Sequence, residues 1–350
     1  MTWFIAIIAF ILILGLVILV HELGHFITAK KAGIMVEEFG IGFPPRLFAF
    51  KRGETTYSLN LIPLGGFTKM LGEEDPSHPR SLAGKSIRTR LIVLSAGSIM
   101  NLLLPILLLS IAFMIPRPVV AGGDLKVVEV NSGSPAAAAG IQVDDIILTA
   151  NGQPVSDFDE FHEVISSNPD SPISIGLKRG EEPINTTVYP PYPNDKIGVT
   201  LQLVNPYYET VSYPIGKAIA EGFRQTWNII ALTVTGLFNI ITGQRGVDVL
   251  GPVGIAQATG EVARLGFASV LIWAAILSAV IGMMNLLPIP MLDGGRICFV
   301  LLEWIRRGKR ISPERERMAH LVGLMLLLTL LLVVSYFDLS RLIGGKSILP

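Results

Sequence analysis

The sequence predicts an α-helical integral membrane protein with four spans, a membrane-associated β-loop and an inserted α+β domain. Three observations carry that prediction. Half of the 350 residues are hydrophobic and only 16% are charged, with a mean hydropathy of +0.56, a balance found in chains that cross a bilayer several times. Four apolar stretches are long enough to span. Between the second and third lies a window of about 95 residues with the turn-rich composition of a small soluble domain.

The first span runs from Trp3 through Val20 and continues helically to Ala29, ahead of Lys30-Lys31. No basic region precedes it and no small-residue cleavage pattern follows, so it is expected to be a retained span rather than a signal peptide. Residues 32–90 are polar and punctuated by Gly and Pro. The alternation Tyr57, Leu59, Leu61 and the Leu64-Gly65-Gly66-Phe67 turn predict a short β-hairpin that dips into the membrane. The second span covers Leu91–Ile115 and ends before Pro116 and Pro118.

In the inserted window, strands are expected at Leu125–Val130, Ile146–Ala150, Ile173–Leu177 and Thr187–Tyr189, with helical pieces at Pro135–Ala139 and Asp157–Ser166. Ile229–Ile241 is apolar but interrupted by Thr233, Thr235, Gly236 and Asn239, and is short for a span. Residues 251–256 read as a turn, Leu265–Leu287 as the third span and Leu321–Tyr336 as the fourth. The resulting division is 1–118 and 265–350 for two halves of a membrane core, 119–213 for the inserted domain, and 214–264 for an amphipathic or re-entrant segment.

Charge orients these pieces. Residues 30–90 carry ten Lys/Arg and 306–317 carry six, so both should be cytoplasmic by the positive-inside rule. Both termini and the inserted domain are then expected on the outer side. A formal net charge of zero gives no footing for a nucleic-acid partner. The single cysteine, Cys298, excludes an intramolecular disulfide and a cysteine-based metal site.

The first span closes on His21-Glu22-Leu23-Gly24-His25. Histidines four apart share one face of a helix, so both rings can reach one metal ion, and the glutamate beside the first can take a proton from water activated there. Ionisable groups at this depth are costly and usually functional. Asp293, at the cytoplasmic end of the third span, comes to a similar depth and is the candidate third ligand. His78 in a polar loop, His162 in the inserted domain and His320 at the start of the fourth span are weaker candidates.

These residues resemble the site-2 protease family (peptidase M50). HExxH in the first span, Asn285-x-x-Pro288-x-Pro290-x-Leu292-Asp293-Gly294 at the end of the third and one PDZ-like domain between spans two and three are similar to its bacterial regulated-intramembrane-proteolysis branch. Phe39-Gly-Ile-Gly-Phe-Pro-Pro, Pro63-Leu-Gly-Gly-Phe, Ala96-Gly97 with Asn101, and Gly251-Pro-Val-Gly-Ile also have family counterparts. The resemblance implies Zn2+ held by His21, His25 and Asp293, with Glu22 as catalytic base. It implies that Asn101 and Asn285 engage substrate backbone or support the ligands, and that the Gly65-Gly66 loop offers a strand edge to an unwound substrate.

It further implies a PDZ peptide-binding loop at Gly133, Ser134, Gly140 and Ile141. Asp144 stands where such a motif usually has glycine, and aspartate tolerates the left-handed conformation. Val280 stands where some members have a further asparagine. The implied activity is an intramembrane zinc endopeptidase of the bacterial inner membrane. Its partners would be lipid and pre-trimmed single-span substrates such as anti-sigma factors or remnant signal peptides. The rival classes are a non-enzymatic PDZ-bearing scaffold, which leaves the ligand set unused, and a metal or proton transporter, against which the halves show no repeat symmetry.

Overall fold

A computed structural model describes residues 2–168, 171–189, 197–243 and 250–344. The chain divides into two compact units, one formed by Met1–Ile115 with Tyr213–Pro350 and the other by Pro116–Ser212. The sequence places the inserted domain at 119–213.

The membrane unit opens with helix α1 (Thr2–Lys31), whose apolar run ends on Lys30 and Lys31 in the last turn, where cations complement the helix dipole. Gly33, at φ 67°, turns the chain out. Strands β1 (Val36–Arg52) and β2 (Thr55–Met70) form the expected hairpin. It is longer than the sequence pattern shows, because its strands bend back on themselves. Phe39 pairs with Tyr57 on one side and Thr68 on the other. The first part of β1 is thus the middle of three segments, and Gly66–Met70 lies at an edge. Phe43, Leu47, Phe48, Phe50 and Leu61 are exposed, an apolar surface suited to a membrane-associated loop. At the opposite, polar end Arg80 and Lys30 both reach Glu54 at 2.7 Å, and these hydrogen bonds hold its carboxyl down at about 2.

Helix α2 (Ile87–Met114) begins where the Ser86 side chain accepts from the Thr89 N–H, and it carries Pro105 inside. After it comes the inserted unit: β3 (Arg117–Val130), α3 (Pro135–Ala138), β4 (Ile146–Ala150), β5 (Gln153–Pro154), α4 (Phe158–Ser166), β6 (Ile173–Arg179), β7 (Glu182–Val188) and β8 (Val199–Val211). The sheet order is β7-β6-β4-β3-β8, with β5 beside β4. Leu125, Val127, Ile147, Ile173, Ile175 and Leu177 fill its core. Asp145 is fully buried. Burial pushes its carboxyl up, but the Arg179 guanidinium and the Gln142 N–H outweigh burial and hold it below the ordinary range. Its neighbour Asp144 has φ 75°, the conformation expected of the residue standing in for glycine.

The chain returns through α5 (Ile215–Ile241), α6 (Pro252–Arg264), α7 (Phe267–Asn285), α8 (Asp293–Ile305) and α9 (Pro313–Ile343). Among the described residues four helices are long and apolar enough to cross a membrane: Ala6–Lys31, Ile87–Met114, Phe267–Asn285 and Pro313–Ile343. Residues 215–241, expected as an amphipathic or re-entrant segment, form one continuous helix packed on α2, with Gly222 set against Ser110; hydroxyls such as Thr226 turn back to bond the preceding helical turn. Residues 251–256 are no turn: Gly251 precedes α6 and Pro252 occupies its first position, where proline's missing N–H costs nothing. Strand β8 was not anticipated, because Asn205-Pro206 interrupts its alternation.

Candidate metal centre

Helix α1 places His21 and His25 one turn apart, and α8 brings Asp293 up to them at its first residue. The Nε2 atoms of the two histidines are 3.3 Å apart. Asp293 Oδ2 is 3.2 Å from His21 Nε2 and 3.3 Å from His25 Nε2. Three ligand atoms at the corners of a near-equilateral triangle match one face of a zinc tetrahedron, whose edges at bond lengths near 2.0–2.1 Å are about 3.3–3.4 Å. Among the described residues this is the one group of three such side chains close enough to hold a metal.

The surroundings prepare both rings for that task. His25 Nδ1–H donates to the Val93 carbonyl at 2.8 Å, which leaves the Nε2 lone pair facing the triangle. The amide of Asn101 lies 3.4 Å from His21 Nδ1, while Asn101 Oδ1 is buried without a partner. Turning that amide over lets Oδ1 accept from His21 Nδ1–H, again freeing Nε2. Ser98 Oγ donates to Asp293 Oδ2 at 3.3 Å.

Two close approaches make the arrangement possible. A Cβ on Gly24 would lie 2.7 Å from the Ala96 carbonyl carbon, and one on Gly97 would lie 2.8 Å from His21 Nε2. The segment between α7 and α8, 286–292, is equally tight: Met291 has φ 85°, and Gly294 and Gly295 sit against the Leu286 and Ile289 carbonyl groups.

Glu22 is buried beside the triangle, and Thr68 Oγ1 donates to its Oε2 at 2.7 Å. A cavity of about 310 Å³ opens here. One wall is β2 from Gly66 to Met70, the floor is His21, Glu22, His25 and Asp293, and Met291 and Arg296 close the far side. The edge of Gly66–Met70 turned away from β1 pairs with no other strand among the described residues.

The structure thus brings together His21, Glu22, His25, Asp293 and Gly66. Gly65 is adjacent but rests on the Phe43 ring instead of lining the cavity. Asn101 is fully buried beside His21, a place suited to supporting that ligand. Asn285 ends α7, half-buried, and does not line the cavity. His78 accepts from the Arg80 N–H in a surface turn, and His320 accepts from the Met291 N–H. Thr68 and Arg296 had no signal in the sequence; Ser98 had one as a polar residue within an apolar span, and Gly97 had one in the Ala96-Gly97 pair.

In the inserted unit the loop at 133–141 is ordered by local contacts. Ser134 caps α3 by accepting from the Ala137 N–H, Gly133 and Gly140 take φ 74° and 75°, and Ile141 is buried in the core. The groove of this domain lies elsewhere: about 440 Å³ between α4 (Phe158, Phe161, His162, Ile165) and the segment Ile197–Leu201 that starts the edge strand β8. Gly133, Ser134, Gly140 and Ile141, the residues expected to form a peptide-binding loop, do not line it. Its position follows from strand order, which spacing alone does not reveal.

With this geometry in place, likeness to known proteins can be read. Residues 9–330 match the model of Peptidase family M50. The zinc metalloprotease RasP of Oceanobacillus iheyensis is 31% identical over 96% of this chain and 99% of its own length. The regulator of sigma-W protease RasP of Bacillus subtilis is 29% identical over 96% of this chain and 98% of its own. Among solved structures, the PDZ domain of the SdrC-like protein of Listeria monocytogenes aligns with 24% of this chain and 90% of its own at 24% identity and a TM-score of 0.21.

Proposed function

The chain belongs to peptidase family M50 and is a membrane zinc metalloprotease of the site-2 type, and we propose that it hydrolyses peptide bonds inside transmembrane segments of single-span proteins already trimmed outside the membrane. The observation that carries this reading is the triangle of His21 Nε2, His25 Nε2 and Asp293 Oδ2 with Glu22 beside it, facing a bare strand edge. The donor set fits zinc, which when bound supplies Lewis acidity that polarises the scissile carbonyl and acidifies the attacking water.

The residues do the remainder. Thr68 occupies Glu22 Oε2, leaving Oε1 to take a proton from water and hand it to the departing amine. A transmembrane helix hides its peptide bonds, so the substrate must unwind, and its freed N–H and C=O groups then need partners. The edge at Gly66–Met70 supplies them, and Gly66 leaves room because a Cβ there would press on Ile18 and Glu22. The inserted domain restricts entry to trimmed substrates. In this reading the protein sits in a bacterial inner membrane with both termini and the inserted domain outside, acting on targets such as anti-sigma factors or remnant signal peptides.

Glu22→Gln tests the assignment. Zinc content should stay at the wild-type level while cleavage of a tagged single-span substrate in vesicles falls about 10²–10⁴-fold. Retained cleavage in this variant would overturn the mechanism.

A further inference from the structure

Helix α9 buries little of itself: of its residues only Gly323 and Asp338 are buried. One of its few points of contact falls on the segment that delivers Asp293. A Cβ at Gly323 would lie 2.7 Å from the carbonyl carbon and 2.8 Å from the Cβ of Pro290, so the helix backbone rests directly on that proline. One turn earlier His320 Nδ1 accepts from the Met291 N–H at 2.8 Å.

Met291 has φ 85°, a conformation that is strained for a side-chain-bearing residue and persists only where its surroundings hold it. The His320 ring is itself fixed. It stands edge-on to Phe299 of α8, with ring centroids 5.5 Å apart at 60°, and its Nε2 lies 4.0 Å from Glu316 Oε1. One imidazole on the last span therefore touches the chain two residues before Asp293 and six residues after it.

We propose that His320 is a positioning residue for the metal centre: it holds Met291 left-handed, fixes the direction in which α8 begins, and so aims Asp293 Oδ2 at His21 and His25. Gly323 lets α9 come close enough for that bond to form. The inference rests on the reading of Asp293 as a zinc ligand.

Zinc retention in the purified full-length protein tests it. Release to excess chelator is followed alongside thermal unfolding, kcat and KM. His320→Leu should release zinc about 10-fold faster or more, in the range seen when groups that orient metal ligands are removed, with kcat lowered and KM unchanged. His320→Asn, whose Oδ1 takes the place of the ring Nδ1 as acceptor, should restore wild-type retention. Gly323→Ala, which lifts α9 from Pro290 without touching the imidazole, should reproduce the loss. Lowered thermal stability with zinc release unchanged in His320→Leu would make the residue merely structural and overturn the proposal. Wild-type protein that binds no zinc would instead overturn the reading of Asp293 beneath it.

Discussion

Helices α2 and α9 are matched in length and apolarity, at 28 and 31 residues with mean hydropathies of 2.3 and 2.4 over their most apolar stretches. Half of that stretch is buried in α2, against 6% in α9. The difference lies in the small and polar residues. Helix α2 buries Ala96, Gly97, Ser98, Asn101 and Ser110, and through them meets α1, α5 and α7. Helix α9 offers a nearly continuous apolar run from Leu324 to Val334, leucine and valine apart from Met325 and broken only by Thr329. Lipid tails are as apolar as leucine, so hydropathy brings a helix into the bilayer without packing it there, and close backbone approach and hydrogen bonds do the packing. The two helices also divide the work. One backs the metal cluster directly, and the other reaches it indirectly, through Met291 ahead of Asp293 and Phe299 after it.

The strongest way to break this contrast is to give α2 a side chain where it has none. A Cβ on Gly97 would lie 2.7 Å from His25 Cδ2 and 2.8 Å from His21 Nε2, and closer still to His25 Nε2. Both rings are held from behind, His25 by the Val93 carbonyl and His21 by Asn101, so neither can retreat without losing its support. Gly97→Ala should lower zinc affinity by about 100-fold, the upper end for disturbed ligand geometry, and abolish measurable cleavage. Metal analysis after dialysis against a graded chelator reads the first effect. Wild-type zinc binding in this variant would show that α2 does not define the site.

How much of this was open to the sequence depends on whether a feature is local. His21 and His25 share a face because a helix repeats every 3.6 residues, and nothing beyond α1 is needed to infer it. Asp293 could be brought to the same depth by counting spans and charges. The left-handed Asp144 followed from the resemblance, in which that position usually holds glycine. Thr68 against Glu22, Ser98 against Asp293 and Met291 against His320 join segments 46, 195 and 29 residues apart, and no periodicity links such pairs. The groove of the inserted domain was not legible for the same reason: it depends on β8 pairing with β3 at the sheet edge, and that strand was hidden by Asn205-Pro206. Glycine and proline misled at 251–256, where they start a helix rather than end one.

A smaller effect sharpens the contrast from the side of α9. Asp338 is its second buried residue, and Oδ2 accepts from the Gly254 N–H at 2.7 Å in the first turn of α6. A carboxylate is well placed at a helix N-terminus, where the dipole favours negative charge. Gly251 and Gly254 admit it, since a Cβ on either would lie 2.7–2.9 Å from a carboxylate oxygen. Asp338→Leu leaves that N–H buried and unpaired, at a cost of about 1–3 kcal/mol. Asp338→Asn keeps an acceptor and should cost less. Thermal unfolding in detergent should rank wild type, Asn and Leu in that order of falling midpoint. Equal midpoints for Asn and Leu would mean that packing, not the bond to α6, anchors this end of the helix.

The smallest effect is the most telling for α9. Leu326 and Leu332 are 65% and 70% exposed, so lipid surrounds them if the helix is as bare as it stands here. Truncating either to alanine removes methyl groups from lipid contact and opens no cavity, because lipid fills the space. Leu326→Ala and Leu332→Ala should each shift stability by less than about 0.5 kcal/mol, the range of surface substitutions, and leave zinc retention unchanged. A leucine packed against protein would lose about 2–5 kcal/mol on the same change, and the two ranges do not overlap. A loss of that size at both positions, growing as the protein is diluted in detergent, would mean that a second copy or a partner covers this face. Helix α9 would then be as tightly packed as α2, by a surface outside its own chain.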